Sequence, residues 1–146
     1  MTVELFHQIA IGSVIVIVSV LLSGTIFLGL ELLMERSHLW LIRRPHRPKL
    51  VLVLLVSVMG SLGMITVSVW VWAIAYFQLG IFITFEASLY FSLVSFTTLG
   101  FGDIILPPDW RILAGMTAAN GFLNIGMMSA VVLETLRTVR KNQLAS

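Results

Sequence analysis

The chain has 146 residues, 58% of them hydrophobic and 11% charged, with a mean hydropathy of +1.02 and a formal net charge of +2. Soluble domains carry about 25% charged residues, so the composition argues against a soluble enzyme and for one membrane-embedded domain. There is no cysteine, which excludes disulfides and thiolate metal sites. The basic residues cluster at 36, 43, 44, 47 and 49 and again at 137, 140 and 141, with Arg111 alone between them. That clustering is a topology signal and not a nucleic-acid footprint, so membrane lipids are expected partners and nucleic acid is not.

The first apolar run extends from about Ile9 to Met34, longer than the 20 or so residues that cross a bilayer. It lacks a basic leading region and a small-residue cleavage site, so it reads as a spanning anchor and not as a cleaved signal. Glu31 and Glu35 fall at its inner end. The stretch Glu35 to Lys49 follows, with His38, His46 and five basic residues, and Pro45 and Pro48 are expected to break any helix there. The spacing of its histidines does not suit a metal site. A second span runs from about Leu50 to Phe77 and a third from about Trp110 to Leu136. Between them, Phe85 to Phe96 is apolar for 12 residues, only about 18 Å as a helix and too short to cross. Thr84 suits an N-cap and Glu86 the first turn. A re-entrant half-helix is expected, because irregular backbone is tolerated at membrane depth only when protein shields it or it lines a watery cavity.

Both basic clusters read as cytoplasmic. The N-terminus is then outside, the C-terminus inside, and the loop from Gln78 to Asp109 opens outward. Trp110 and Tyr76 are expected at the outer interface and Trp40 near the inner one.

The segment Thr97-Thr98-Leu99-Gly100-Phe101-Gly102-Asp103 resembles the selectivity filter of potassium channels, and its context resembles their pore domain: outer helix, half-helix, filter, inner helix. The resemblance implies an all-α membrane fold with three spanning helices and one re-entrant helix. Residues 1–49 would form an additional helix and a basic cytoplasmic loop, 50–140 the pore domain, and 141–146 a short cytoplasmic tail. It also implies a homotetramer in the cell membrane that passes potassium ions passively and catalyses nothing. Successive carbonyls must face one axis, which requires left-handed backbone at Gly100 and Gly102, where glycine adopts it at little steric cost. Thr98 would add its hydroxyl as the innermost ligand. Leu99 and Phe101 would point away from the ions and pack against the half-helix. Asp103 would concentrate cations at the mouth, and Tyr90 and Phe91 match the aromatic pair that cuffs the filter.

Two positions depart from the commonest pattern. Phe101 stands where tyrosine is usual, and Val94 where some bacterial channels carry a glutamate that pairs with the filter aspartate. Asp103 then needs another partner, with the tyrosine hydroxyl and water as candidates. On the inner helix, Phe122, Ile125 and Ser129 share one face and Asn120 and Asn124 nearly the opposite one. The first face is expected to line the cavity, and the asparagines to bond to the half-helix end or a neighbouring helix. Gly121 and Gly126 are candidate hinges, with close packing against the half-helix an equal alternative for Gly121. The rival functions are a less selective cation channel of the same fold, a small secondary transporter and a non-conducting assembly subunit. No arginine-rich voltage sensor, nucleotide-binding loop or regulatory partner is legible, and the residues after Leu136 are too few for a ligand-binding domain.

Overall fold

The computed structural model describes residues 2–37 and 46–145. The helices are α1 (Thr2–Arg36), α2 (His46–Gln78), α3 (Phe85–Phe96) and α4 (Arg111–Ala145), with a single 3-10 turn at Pro108–Trp110 before α4. The architecture is all-α, with no strand among the described residues. Leu5–Leu33, Pro48–Gln78 and Pro108–Lys141 are each long and apolar enough to cross a membrane.

Every spanning helix outruns its apolar stretch, because intrahelical bonds satisfy the backbone wherever the chain leaves the hydrocarbon. α2 begins at His46 and takes in Pro48, contrary to the expected break. In the first helical turn the missing proline N–H has no intrahelical acceptor to lose. α4 continues to Ala145 and absorbs residues expected to form a separate tail. His38, Pro45 and Trp40 lie outside the described residues.

Three side-chain registers fix the packing. Ser23 and Ser68 share a buried hydrogen bond of 3.1 Å between α1 and α2, and Leu30 closes on Gly60 further along. As one helix number rises the other falls, so α1 and α2 are antiparallel. Gly12 of α1 lies against Leu113 and Met116 at the start of α4, so α1 and α4 begin at the same end. Tyr76 of α2 and Thr117 of α4 share a 2.7 Å hydrogen bond between hydroxyls.

The core gathers at the end of the molecule that carries α3. It contains Val69, Trp72, Tyr76, Phe91, Phe96, Leu106 and Leu113, with Ile11, Ile15 and Val16 of α1 packed against it. Tyr76 is fully buried, so it belongs to this core and not to an interfacial belt. Its ring meets Phe91 edge-on at 5.3 Å, and Phe82 also meets Phe91 at 5.3 Å. α1 packs against both neighbours, through Ser23 on α2 and Gly12 on α4. It covers the surface of α2 and α4 that buries Ser68 and Trp72.

The closest approach is between α3 and α4, where a Cβ on Gly121 would overlap the Phe96 backbone carbonyl. Around Gly126 no atom lies within 4 Å of the corresponding position. Gly121→Ala is therefore expected to lower stability by about 1–3 kcal/mol through overpacking. Gly126→Ala should leave stability unchanged or raise it. By comparison Ser68→Ala should cost only about 0.6 kcal/mol, the average for an interhelical hydrogen bond in a membrane. Thermal unfolding of the purified variants in one detergent checks the ranking.

Candidate functional site: a half-helix and the segment that follows it

α3 starts where Thr84 places its hydroxyl to accept the Ala87 N–H at 3.2 Å, with Glu86 in the first turn. Its buried residues Ser88, Phe91, Ser92 and Phe96 share one face, which carries it against α2 and α4. It ends at Thr97, whose hydroxyl donates to the Leu93 carbonyl at 2.7 Å.

The chain then reverses tightly beneath the helix end. Thr98 N–H donates to Ser95 O at 3.0 Å, and Leu99 and Gly100 N–H both donate to Val94 O, at 3.0 and 3.3 Å. Carbonyls at a helix C-terminus lack intrahelical partners, and the segment from Thr98 to Gly100 supplies them. Val94 thus acts through its main chain, at a position where the side chain brings no carboxylate. Among the described residues no hydrogen bond within the chain uses a carbonyl from 98 to 102. These oxygens stay available.

The backbone alternates in hand. φ is +60° at Thr98, +55° at Gly100 and +77° at Gly102, while Leu99 and Phe101 between them are not left-handed. The two glycines were legible as the left-handed positions, but Thr98 was not. A β-branched residue at positive φ is strained, at a cost on the order of 1–3 kcal/mol. Counting back two residues from Gly100 would have found it. The alternation turns successive carbonyls to the same side, which suits a cation that has shed its water, with the Thr98 hydroxyl adjacent.

Leu99 and Phe101 are left largely uncovered by their own chain. They are 58% and 66% exposed within the chain. A left-handed residue stands on either side of each.

At the far end of the strand Tyr90 donates its hydroxyl to Asp103 Oδ2 at 2.6 Å. That bond holds the Asp103 carboxyl below its ordinary value, and the same carboxylate raises the Tyr90 phenol. Tyr90 and Phe91 therefore face different surroundings. Tyr90 latches the mouth, and Phe91 enters the core beside Tyr76 and Phe82.

On α4, Asn120 and Asn124 are 1% and 3% exposed, whereas Phe122 is 71% exposed. Ile125 is half-buried, and Ser129 is exposed with its hydroxyl donating to the Ile125 carbonyl at 2.9 Å. The asparagines do not bond to the half-helix end or to a neighbouring helix as expected. Asn124 Nδ2 donates to the main-chain and side-chain oxygens of Asn120 at 2.9 and 2.7 Å. The i, i+4 spacing brings the two amides together before another helix can. α4 runs unbroken through Gly121 and Gly126. At Gly121 the geometry is that of close packing on Phe96. The Tyr76–Thr117 bond that braces this region lies 41 residues apart in sequence and has no local signal.

No curated protein and no solved structure matches the chain. A family model described as an ion channel matches residues 64–138, more than half of the chain, from mid-α2 through α3 and the segment after it into α4. With half-helix, exposed alternating strand and following span all inside that match, the chain belongs to this family of ion channels.

Proposed function

We propose that the chain is one subunit of a homotetrameric potassium-selective channel, with Thr98, Leu99, Gly100, Phe101 and Gly102 as its selectivity filter. The observation that carries this reading is the alternating backbone hand from Thr98 to Gly102, with its free carbonyls. A potassium ion entering such a strand exchanges its hydration shell for carbonyl oxygens. One strand covers one side of an ion, so four copies complete the ring. The exposure of Leu99 and Phe101 supports this assembly, because only a neighbouring copy remains to cover them. The pore domain comprises residues 50–140, with residues 1–49 an added helix and loop. By the distribution of basic residues the filter faces outward and α4 ends in the cytoplasm.

Within this reading α3 aims its C-terminal partial negative charge at the cavity, which favours a cation there. Asp103, held ionised by Tyr90, raises the local cation concentration at the mouth. Phe122, Ile125 and Ser129 line the cavity beneath, a reading supported by the burial of the asparagine face.

Purified protein in planar bilayers tests the selectivity. The expected reversal potential follows the potassium gradient, with sodium permeating poorly and barium blocking. Equal potassium and sodium permeability would instead establish the less selective cation channel, with the Phe101 position as the first suspect.

The cavity face is tested with single cysteines in this naturally cysteine-free chain. A water-soluble thiol reagent applied from the α4 C-terminal side should abolish current through Ser129→Cys and spare Asn124→Cys. The reverse result would place the asparagines on the pore.

The Tyr90–Asp103 latch gives a pH prediction. Asp103 has a depressed pKa, so its charged, bonded form persists through the ordinary carboxylate range and is lost only as pH falls below it. In Tyr90→Phe the carboxyl returns toward its ordinary value. Acidifying the filter side should then reduce the current at a higher pH than in the parent. Identical acid titrations of the two proteins would dismiss the latch.

A further inference from the structure

Among the described residues six buried side-chain atoms lack a hydrogen-bond partner, and besides Gln8 Oε1 and Ser92 Oγ they are Ser19 Oγ on α1, Trp72 Nε1 on α2, and Asn120 Nδ2 and Asn124 Oδ1 on α4. None of these last four residues is more than 3% exposed. The three observed registers place Ser19, Trp72 and Asn120 in one layer, with Asn124 one turn on and its amide held against Asn120. Ser23 meets Ser68, and one turn toward the filter end those helices present Ser19 and Trp72. Tyr76 meets Thr117, and one turn away from that end are Trp72 and Gly121, with Asn120 beside it and Asn124 one turn on. Gly12 meets Leu113 and Met116, and two turns further along, Ser19 comes level with Asn120.

The hydrogen-bonding inventory of the layer is balanced. Trp72 Nε1 can only donate, and Ser19 Oγ can accept. Asn124 Nδ2 is committed to the Asn120 main-chain carbonyl and to Asn120 Oδ1. That fixes both amides, leaving Asn120 with a free donor and Asn124 with a free acceptor. The junction of the three helices therefore holds two free donors and two free acceptors.

We infer that the junction of α1, α2 and α4 is an internal water-binding site, with one water accepting from Trp72 Nε1 and Asn120 Nδ2 and donating to Ser19 Oγ and Asn124 Oδ1. Buried waters make two to four such bonds to otherwise unsatisfied polar groups, and this layer offers four of the right sense. A bare cation does not fit, because two of the four groups present hydrogens. The water ties the added helix α1 to the pore helices. It also sits in the layer of Gly121, whose other side touches the Phe96 carbonyl at the end of α3. The inference is independent of which ion is conducted.

Water-edited solid-state NMR on full-length protein labelled with both 13C and 15N in lipid bilayers tests it, with the indole resonance assigned by loss in Trp72→Phe. Magnetisation from water should reach the Trp72 indole N–H as fast as it reaches exposed backbone amides, although the ring is fully buried. Ser19→Val removes one acceptor and fills space, and should slow that transfer to the rate of the Leu113 methyl groups. Transfer to Trp72 in the parent protein no faster than to Leu113 means a dry layer and overturns the inference. So does fast transfer that persists in Ser19→Val, since α1 would then take no part in the site.

Discussion

Leaving a run of carbonyls unpaired at membrane depth is costly, since lipid offers no hydrogen-bond donor. A half-helix that stops inside the molecule has the same problem at its C-terminus. Here the two shortages are fitted to each other. The terminal carbonyls of Val94 and Ser95 take the N–H groups of Thr98, Leu99 and Gly100, so the strand's donors are spent on the helix and its acceptors face elsewhere. The strained φ at Thr98 is held by this arrangement. Released from the helix end, the residue would relax to negative φ and the alternation of backbone hand would fail.

The remaining helices hold that half-helix in place. Its buried face meets α4 where Gly121 admits the Phe96 carbonyl. Its other contacts run through Phe91 to Tyr76, and Tyr76 is in turn bonded to Thr117 of α4. One aromatic residue of α2 thus links the half-helix and the inner helix. The strand is pinned at both ends: near Thr98 by the α3 terminus, and near Asp103 by the Tyr90 hydroxyl. Between these pins the side chains of Leu99 and Phe101 are left uncovered, as befits a surface completed by another subunit in the proposed tetramer.

α1 adds a third layer of support. Its Gly12, Ser19 and Ser23 face the groove between α2 and α4, and Ile11, Ile15 and Val16 reach the same core that carries Phe91 and Phe96. In a membrane the hydrophobic effect does not drive helices together, so close packing and polar contacts have to do so. The serines on this face, and the glycines opposite bulky side chains, are the residue types that such contacts require.

Hydropathy alone determined the number of spans, because a bilayer imposes one length on every helix that crosses it. The half-helix and its Thr84 cap were legible for a similar reason: the cap bond is local, and a 12-residue run is too short to cross. Gly100 and Gly102 were legible as left-handed positions because no other residue adopts that backbone at so little cost. The sequence did not determine which polar side chains face each other across helices. Tyr76 reads as an interfacial aromatic and is buried, and Asn120 and Asn124 read as partners for another helix and bond to each other. Both outcomes depend on helix rotation and register, which hydropathy does not encode when every face is apolar. Thr98 at positive φ and the exposure of Leu99 and Phe101 were likewise decided by the tertiary structure. There the α3 terminus dictates where the N–H groups point, and the side chains follow the backbone.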